Sequence, residues 1–378
     1  LQAAASLSHG VEPDADQGDK LGKLRRRLRD KIAADAMRRK RALIWKISAA
    51  VLAVTVVVGT LVAAVLISAA RARVVTERNH LVRLLIASAT DGVQTELHRL
   101  FDPVRGAIRT SRSWAVSGRL DTDDPVALSA HFIPLIEGYP VISSIMRADD
   151  QGHEYLLVRA EDGWLVRTTT PSEPSQLLSL TRGGTVTKRW QETLAYDPLT
   201  RPWYLGAVAL RESLTEDAAA SAVHWTEPYT FFTRQEPGIT AAAPVTSAGG
   251  RHFVIGVDVP LSDLTTHTMQ MSDSELGKVF VLAQDDRLVA LPRSRQFDSE
   301  EARRAAALVH VDELKDPVPS AAVDAWRAAG REDDRHLRLE SDGQPWWAGF
   351  RRFELGRDRV LWIAVVLPES DFVVPDAG

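Results

Sequence analysis

At 378 residues with 45% apolar side chains, the chain has material for two or three domains with real cores. The absence of cysteine excludes disulfides, thiolate metal sites and a cysteine nucleophile. The net charge of −4 is unevenly spread: of 46 basic and 50 acidic residues, twelve and six lie in residues 1–46, leaving 34 and 44 for the remainder. The bulk of the chain is therefore acidic and has no electrostatic footprint for nucleic acid.

Residues 47–70, ISAAVLAVTVVVGTLVAAVLISAA, carry no charge. At ~1.5 Å per residue this stretch predicts a helix that crosses a bilayer core of about 30 Å with some tilt. Residues 27–46 carry eight Lys or Arg and residues 71–90 carry four. The positive-inside rule then puts the N-terminus in the cytoplasm and residues 71–378 on the extracytoplasmic side of the inner (cell) membrane. A cleaved signal peptide does not fit so long a charged start and so long an apolar core, so the segment is read as an uncleaved anchor. The basic run beside it reads as a partner for anionic lipid rather than nucleic acid.

Residues 71–114 read as one long helix, with Leu81, Leu85, Leu97, Leu100, Phe101, Val104 and Ile108 on one stripe and Pro103 inside it. Such a stalk packs on its own domain and on a second copy, which predicts a homodimer. The acidic turn DTDDP (121–125) lacks the order of a calcium loop and reads as solvated. From about residue 138 the pattern changes to short strands: three in VISSIMRADDQGHEYLLVRAEDGWLVRTT, a hairpin around Gly249-Gly250, a strand–turn–strand in GKVFVLAQDDRLVALP, and two strands in QPWWAGFRRFELGRDRVLWIAVVLP. Two antiparallel sheets, each with helices to one side, are expected. VIGVDVPLSDL (254–264) and WIAVVLPESDF (362–372) match at a constant offset, each a strand leaving through a proline turn into a helix. The first copy has Asp258 where the second has Val366, and an aspartate on an apolar strand is costly to bury without a partner.

The stalk layout, YDPLTRPWY (196–204), WTEPY (225–229), AAAPV followed by VIGVDVPLSDL, and the later LPESDF together resemble a double-Cache sensor domain of bacterial transmembrane receptors. The resemblance covers roughly residues 75–373 and implies an α+β fold, two PAS-like modules, each an antiparallel sheet with helices, after the stalk. Together with the basic cytoplasmic tail at 1–46 and the transmembrane helix at 47–70 read above, this gives a stalk at 71–118, a membrane-distal ligand-binding module at 119–265 and a membrane-proximal module at 266–373. Residues 374–378 are expected to begin a further C-terminal part carrying the output, whose type the sequence does not specify. The amino-acid-binding subset of the family is similar at Tyr196, Arg201, Trp203, Tyr229 and Asp258, with Tyr204 following the tryptophan. The chain departs from it where Leu199 stands in place of a frequent second arginine, and where LRESLTEDAAASAVH lengthens the gap from Trp203 to Tyr229. What is kept concerns the ligand's α-amino and α-carboxyl groups.

The residue types suit that chemistry by themselves. A free amino acid is a zwitterion, and Arg201 has the fork for its carboxylate. Pro198 and Pro202 restrict the backbone around that arginine; Trp203, Tyr204 and the other tyrosines supply walls with polar tips; Asp258 takes the ammonium. Two other readings stay open: Arg201 and Asp258 paired structurally with each other, and the aromatics as plain core. Trp346 and Trp347 echo RPWY but with Gln344 in place of the arginine, and read as core in a module without ligand. No phosphate loop, nucleophile elbow or His-Glu-x-x-His is present, and His153, His224 and His252 lie scattered among turns. The chain is read as a non-enzymatic sensor without metal or cofactor. Its expected partners are a small molecule, first an amino acid, with an organic acid, an amine or an exterior protein as the alternatives.

Overall fold

The computed structural model describes residues 15–215, 218, 221–271, 277–357 and 359–372. The expectations for residues 374–378 and for the first fourteen residues of the tail lie outside the described residues. The chain divides into two units, residues 1–77 and 78–378.

Helix α1 (Ala15–Val116) begins in the first unit and ends in the second. Its stretch Gly22–Arg73 is the one helix among the described residues long and apolar enough to cross a membrane. The Ile, Leu and Val side chains between Ile47 and Ile67 are each more than half exposed. Within the second unit α1 is amphipathic: Val82, Ile86, Val93, Leu97, Phe101, Val104 and Ile108 are buried at helical spacing. The inward stripe thus starts one residue later than expected, because Leu81 and Leu85 are each 49% exposed and Val82 and Ile86 point in. Ile86 sits over Gly349, where a Cβ would come within 2.2 Å of its Cγ2. Only a glycine there lets the helix lie so close.

Helix α2 (Pro125–Gly138) precedes five antiparallel strands: β1 (Ser144–Asp149), β2 (Glu154–Ala160), β3 (Gly163–Thr169), β4 (Ser175–Thr181) and β5 (Val186–Glu192). Helix α3 (Pro202–Ser213), two short strands β6 (His224–Trp225) and β7 (Tyr229–Thr230), and the long hairpin β8 (Pro237–Thr246) and β9 (His252–Pro260) follow. The sheet runs β5-β4-β3-β2-β1-β9-β8-β6, with β7 also on β8. Helix α4 (Ser262–Gln270) leads to β10 (Lys278–Leu282), β11 (Leu288–Ala290), α5 (Glu300–Ala306), α6 (Pro317–Ala328), β12 (His336–Ser341), β13 (Gln344–Glu354) and β14 (Val360–Pro368). These strands form a second antiparallel sheet, β11-β10-β14-β13-β12. The α+β fold of a long helix followed by two antiparallel sheets with helices is the one expected.

Each sheet carries helices on both faces rather than on one, because its central strands are apolar on both sides. Ile255, Val257 and Val259 of β9, and Ile363 and Val365 of β14, join the core that α1 covers. On the opposite faces, α3 brings Trp203, Tyr204 and Ala207 to the first sheet, and α6 brings Val318, Val323 and Trp326 to the second. The boundary expected between residues 265 and 266 falls inside α4.

The acidic turn is more than solvated. Arg147 is 6% exposed and donates to Leu120 O (2.5 Å), Thr122 O (3.0 Å) and Asp123 Oδ1 (2.8 Å). Asp124 caps α2 through Val126 N (3.0 Å). A buried guanidinium needs such acceptors, and the turn provides them.

Candidate ligand-binding site

The stretch YDPLTRPWY builds a turn with a defined exit. Asp197 Oδ1 accepts from Leu199 N (2.9 Å), Pro198–Thr200 make one 3₁₀ turn, and Arg201 N donates to Pro198 O (3.1 Å). Pro202 then opens α3, which forces Arg201 into the extended backbone found there, φ −80° and ψ 143°. The turn aims Arg201 off the helix start while Trp203 and Tyr204 dive into the face of the sheet. Trp203 is 1% exposed and lies flat enough on β9 that a Cβ at Gly256 would meet its ring at 3.2 Å.

Strand alternation supplies the opposite wall. With Ile255, Val257 and Val259 turned toward α1, residues 254, 256 and 258 face α3. Asp258 therefore enters the cleft between the sheet and the α3 turn, and is 5% exposed. Its Oδ2 accepts from Ser144 Oγ (2.5 Å) on β1, and its Oδ1 accepts from Thr240 Oγ1 (2.5 Å) on β8, the two residues opposite it in register. Thr240 Oγ1 lies 2.8 Å from the Tyr229 hydroxyl, and since its own proton goes to Asp258, Tyr229 donates to it. Burial pushes the Asp258 carboxyl up to about 7; the hydroxyls of Ser144 and Thr240 oppose the rise, and Glu154 and Glu236 add to it. No cation pairs with Asp258 among the described residues. Burial also raises the hydroxyls of Tyr196 and Tyr229, keeping both neutral.

Arg201 lies across the same cleft. Its guanidinium carbon stands 5.7 Å from the Tyr196 ring centre and 5.6 Å from that of Tyr229. Among the described residues its side chain has no hydrogen-bonded or charged partner. It does not pair with Asp258. The structural ion pair left open by the sequence is therefore absent.

The cleft is narrow, with a cavity volume of about 30 Å³. Tyr196, Arg201, Trp203, Tyr229 and Asp258 all line it; Tyr204 does not, packing edge-on behind Trp203 at 5.7 Å between ring centres. The sequence reading missed four participants. Ser144 and Thr240 hold the carboxylate. Glu154 and Arg167 form a buried ion pair at 2.8 Å, the side chains 0% and 3% exposed, and the Tyr196 hydroxyl donates to Glu154 Oε1 at 2.6 Å. Arg167 stacks under the Tyr196 ring at 3.9 Å. Alternation in HEYLLVRA and GWLVRTT could have placed Glu154 and Arg167 on one face; the hydroxyls had no such signal. Among the described residues no group of His, Asp and Glu is arranged to hold a metal ion.

No family model matches the chain. Its fold is similar to the ligand-binding domain of the Campylobacter jejuni chemoreceptor Tlp3, solved with L-norvaline: 11% identity over 80% of this chain and 96% of that one, TM-score 0.50. The sensory domain of the same receptor with isoleucine bound gives 11% identity, 79% and 95% coverage and a TM-score of 0.50. The ligand-binding domain of the Pseudomonas fluorescens chemoreceptor CtaA with L-isoleucine matches at 17% identity, 80% and 97% coverage and a TM-score of 0.46. About four fifths of the chain thus has the fold of chemoreceptor sensory domains, as the motifs implied.

Proposed function

We propose that the chain is the sensing region of a membrane signalling receptor and binds an amino acid, or a close α-amino carboxylate, in the cleft between Arg201 and Asp258. One observation carries this reading: of the charged side chains lining the cleft, one cation and one anion, Arg201 and Asp258, lack a charged partner among the described residues. A zwitterion with its two charged groups on one carbon neutralises both. Arg201 donates two parallel hydrogen bonds to the carboxylate. Asp258, with two of its acceptor sites taken by hydroxyls, uses the others for the ammonium, and Trp203, Tyr196 and Tyr229 exclude water around the pair. The chemoreceptor domains of the same fold, solved with amino acids bound, support it.

In this reading residues 47–70 cross the membrane, the basic tail lies in the cytoplasm and the sensor lies outside. Residues 119–265 form the ligand-binding module and 266–373 a module without ligand. A second copy covers the exposed Leu81, Leu84 and Leu85, and cysteines placed at Leu81 or Leu85 of the cysteine-free chain would then crosslink between copies; none forming would argue for a monomer. The binding test is a thermal-shift panel of the full chain in detergent with the twenty amino acids, since ligand bound to the folded state raises the melting temperature. Silence across the panel rejects the reading.

A further inference from the structure

We propose that Glu154 is a specificity-determining residue: by occupying Arg167 it restricts the cleft to amino acids with an uncharged side chain. The inference rests on the proposed amino-acid reading and deepens it.

Four charged side chains line the cleft: Arg167, Arg201, Arg234 and Asp258. Once Arg201 and Asp258 take the backbone groups of the ligand, only Arg167 and Arg234 are left to meet a charged side chain. Arg234 is engaged by Glu236 at 2.5 Å and donates to Arg159 O at 2.7 Å. Arg167 is consumed more completely. Its Nε and Nη2 donate to Glu154 Oε2 at 3.1 and 2.8 Å, and its Nη1 donates to Thr233 Oγ1 at 2.9 Å. Glu154 is itself satisfied, taking the Tyr196 hydroxyl on Oε1 and standing near Thr169 Oγ1 (3.4 Å) on Oε2. Each nitrogen of Arg167 and each carboxylate oxygen of Glu154 thus already has a partner within the protein. The rest of the wall, Met146, Leu156, Val158, Phe231 and Phe232, is apolar.

A ligand carboxylate or ammonium beyond the α-carbon would enter this cleft without a counter-charge. A buried charge without a partner weakens binding by roughly thirtyfold or more. Glu154 thus does two things at once: it steadies the Tyr196 wall, and it hides a guanidinium that would otherwise attract acidic ligands. Removing its charge while keeping its shape exposes that guanidinium.

The test is calorimetry on the full chain with near-isosteric ligands: leucine, asparagine and aspartate, then glutamine and glutamate, then norleucine and lysine. For the unaltered protein, aspartate, glutamate and lysine are expected to bind at least thirtyfold more weakly than their uncharged counterparts. Glu154→Gln should raise the aspartate-to-asparagine affinity ratio tenfold or more, and leave the lysine-to-norleucine ratio unimproved. The double variant Glu154→Gln with Arg167→Gln should return the acid-to-amide ratio to the low value, and it keeps the test available if the single variant does not fold. Glutamate bound as tightly as glutamine by the unaltered protein overturns the inference and leaves the amino-acid reading standing. So does a Glu154→Gln variant with an unchanged ratio. No binding of any member of the series overturns both.

Discussion

Strands β9 and β14 hold the same place in their sheets. Each lies between a first strand (β1 or β10) and the long partner of a hairpin (β8 or β13), with α1 on one face and another helix on the other. At the matching position one has Asp258 and the other Val366. Around Asp258 the register places Ser144 and Thr240, two hydroxyls, with Tyr229 behind and Arg201 across a cleft. Around Val366 it places Lys278 and Ala348, and the side chain is wholly buried with Trp326 and Phe350 in a filled core. The same scaffold thus makes a cleft in one sheet and a packed layer in the other. What differs is the approach of the covering helix: the rigid turn before α3 leaves Arg201 facing Asp258 across a cleft while Trp203 packs on the sheet beside it, whereas α6 lays Trp326 flat on Phe350 at 4.5 Å, 7° from parallel.

The largest effect should come from making the first position uncharged. Asp258→Asn keeps the shape and loses the anion, so amino-acid binding should weaken by roughly thirtyfold to several-thousandfold, about 2–5 kcal/mol. Folding should survive, since the buried charge has no cation to lose; calorimetry and a melting curve read the two quantities separately. The reciprocal change, Val366→Asp, should cost about 2–4 kcal/mol of stability and create no binding. Lys278 lies opposite but its Nζ is held by Asp316 at 2.8 Å and Arg293 O at 3.0 Å. A melting temperature unchanged by Val366→Asp would show that the second sheet tolerates charge as the first does, and the comparison would lose its force.

A smaller effect follows from pH. The Asp258 carboxyl is raised to about 7 from its ordinary value near 4, so the folded apo protein holds a proton that the unfolded chain releases. Stability from this group is present below pH ~4 and lost as pH rises toward 7. An ammonium binds the ionised form. Affinity should therefore fall by about tenfold per unit below pH 7, about 1.4 kcal/mol, and hold level above it. Binding at pH 6 should release a proton that Asp258→Asn does not release. Affinity independent of pH between 5 and 8 would contradict an ionised Asp258 as the ammonium's partner.

Much of this was legible in the sequence, and what was not has physical causes. The internal repeat singled out Asp258 because strands alternate and a lone carboxylate on an apolar strand stands out. The turn around Arg201 was legible because two prolines and an aspartate fix their own backbone. The inward stripe of α1 was misplaced by one residue because Leu81, Leu84 and Leu85 make an apolar face as good as that of Val82 and Ile86. Periodicity cannot say which face a sheet will cover. Strands β4, β5 and β12 went unread. In β5 polar side chains dominate, Thr187, Lys188 and Arg189 being exposed at a sheet edge. In β12 the alternation of His336 to Glu340 before Asp342-Gly343 was a usable signal. The Glu154–Arg167 pair joins residues on adjacent strands, and its partner Tyr196 comes from a distant loop, so only the register brings the three together.

The central claim is that both charges of a zwitterion are held at once. Calorimetry of the full chain with leucine, 3-methylbutylamine and 4-methylpentanoate tests it, because the three share one side chain and differ only in which charged group is present. Leucine should bind, and the amine and the acid should each bind roughly thirtyfold or more weakly, since each leaves Arg201 or Asp258 without its partner. An amine that binds as tightly as leucine would remove Arg201 from the site, and an acid that does so would remove Asp258.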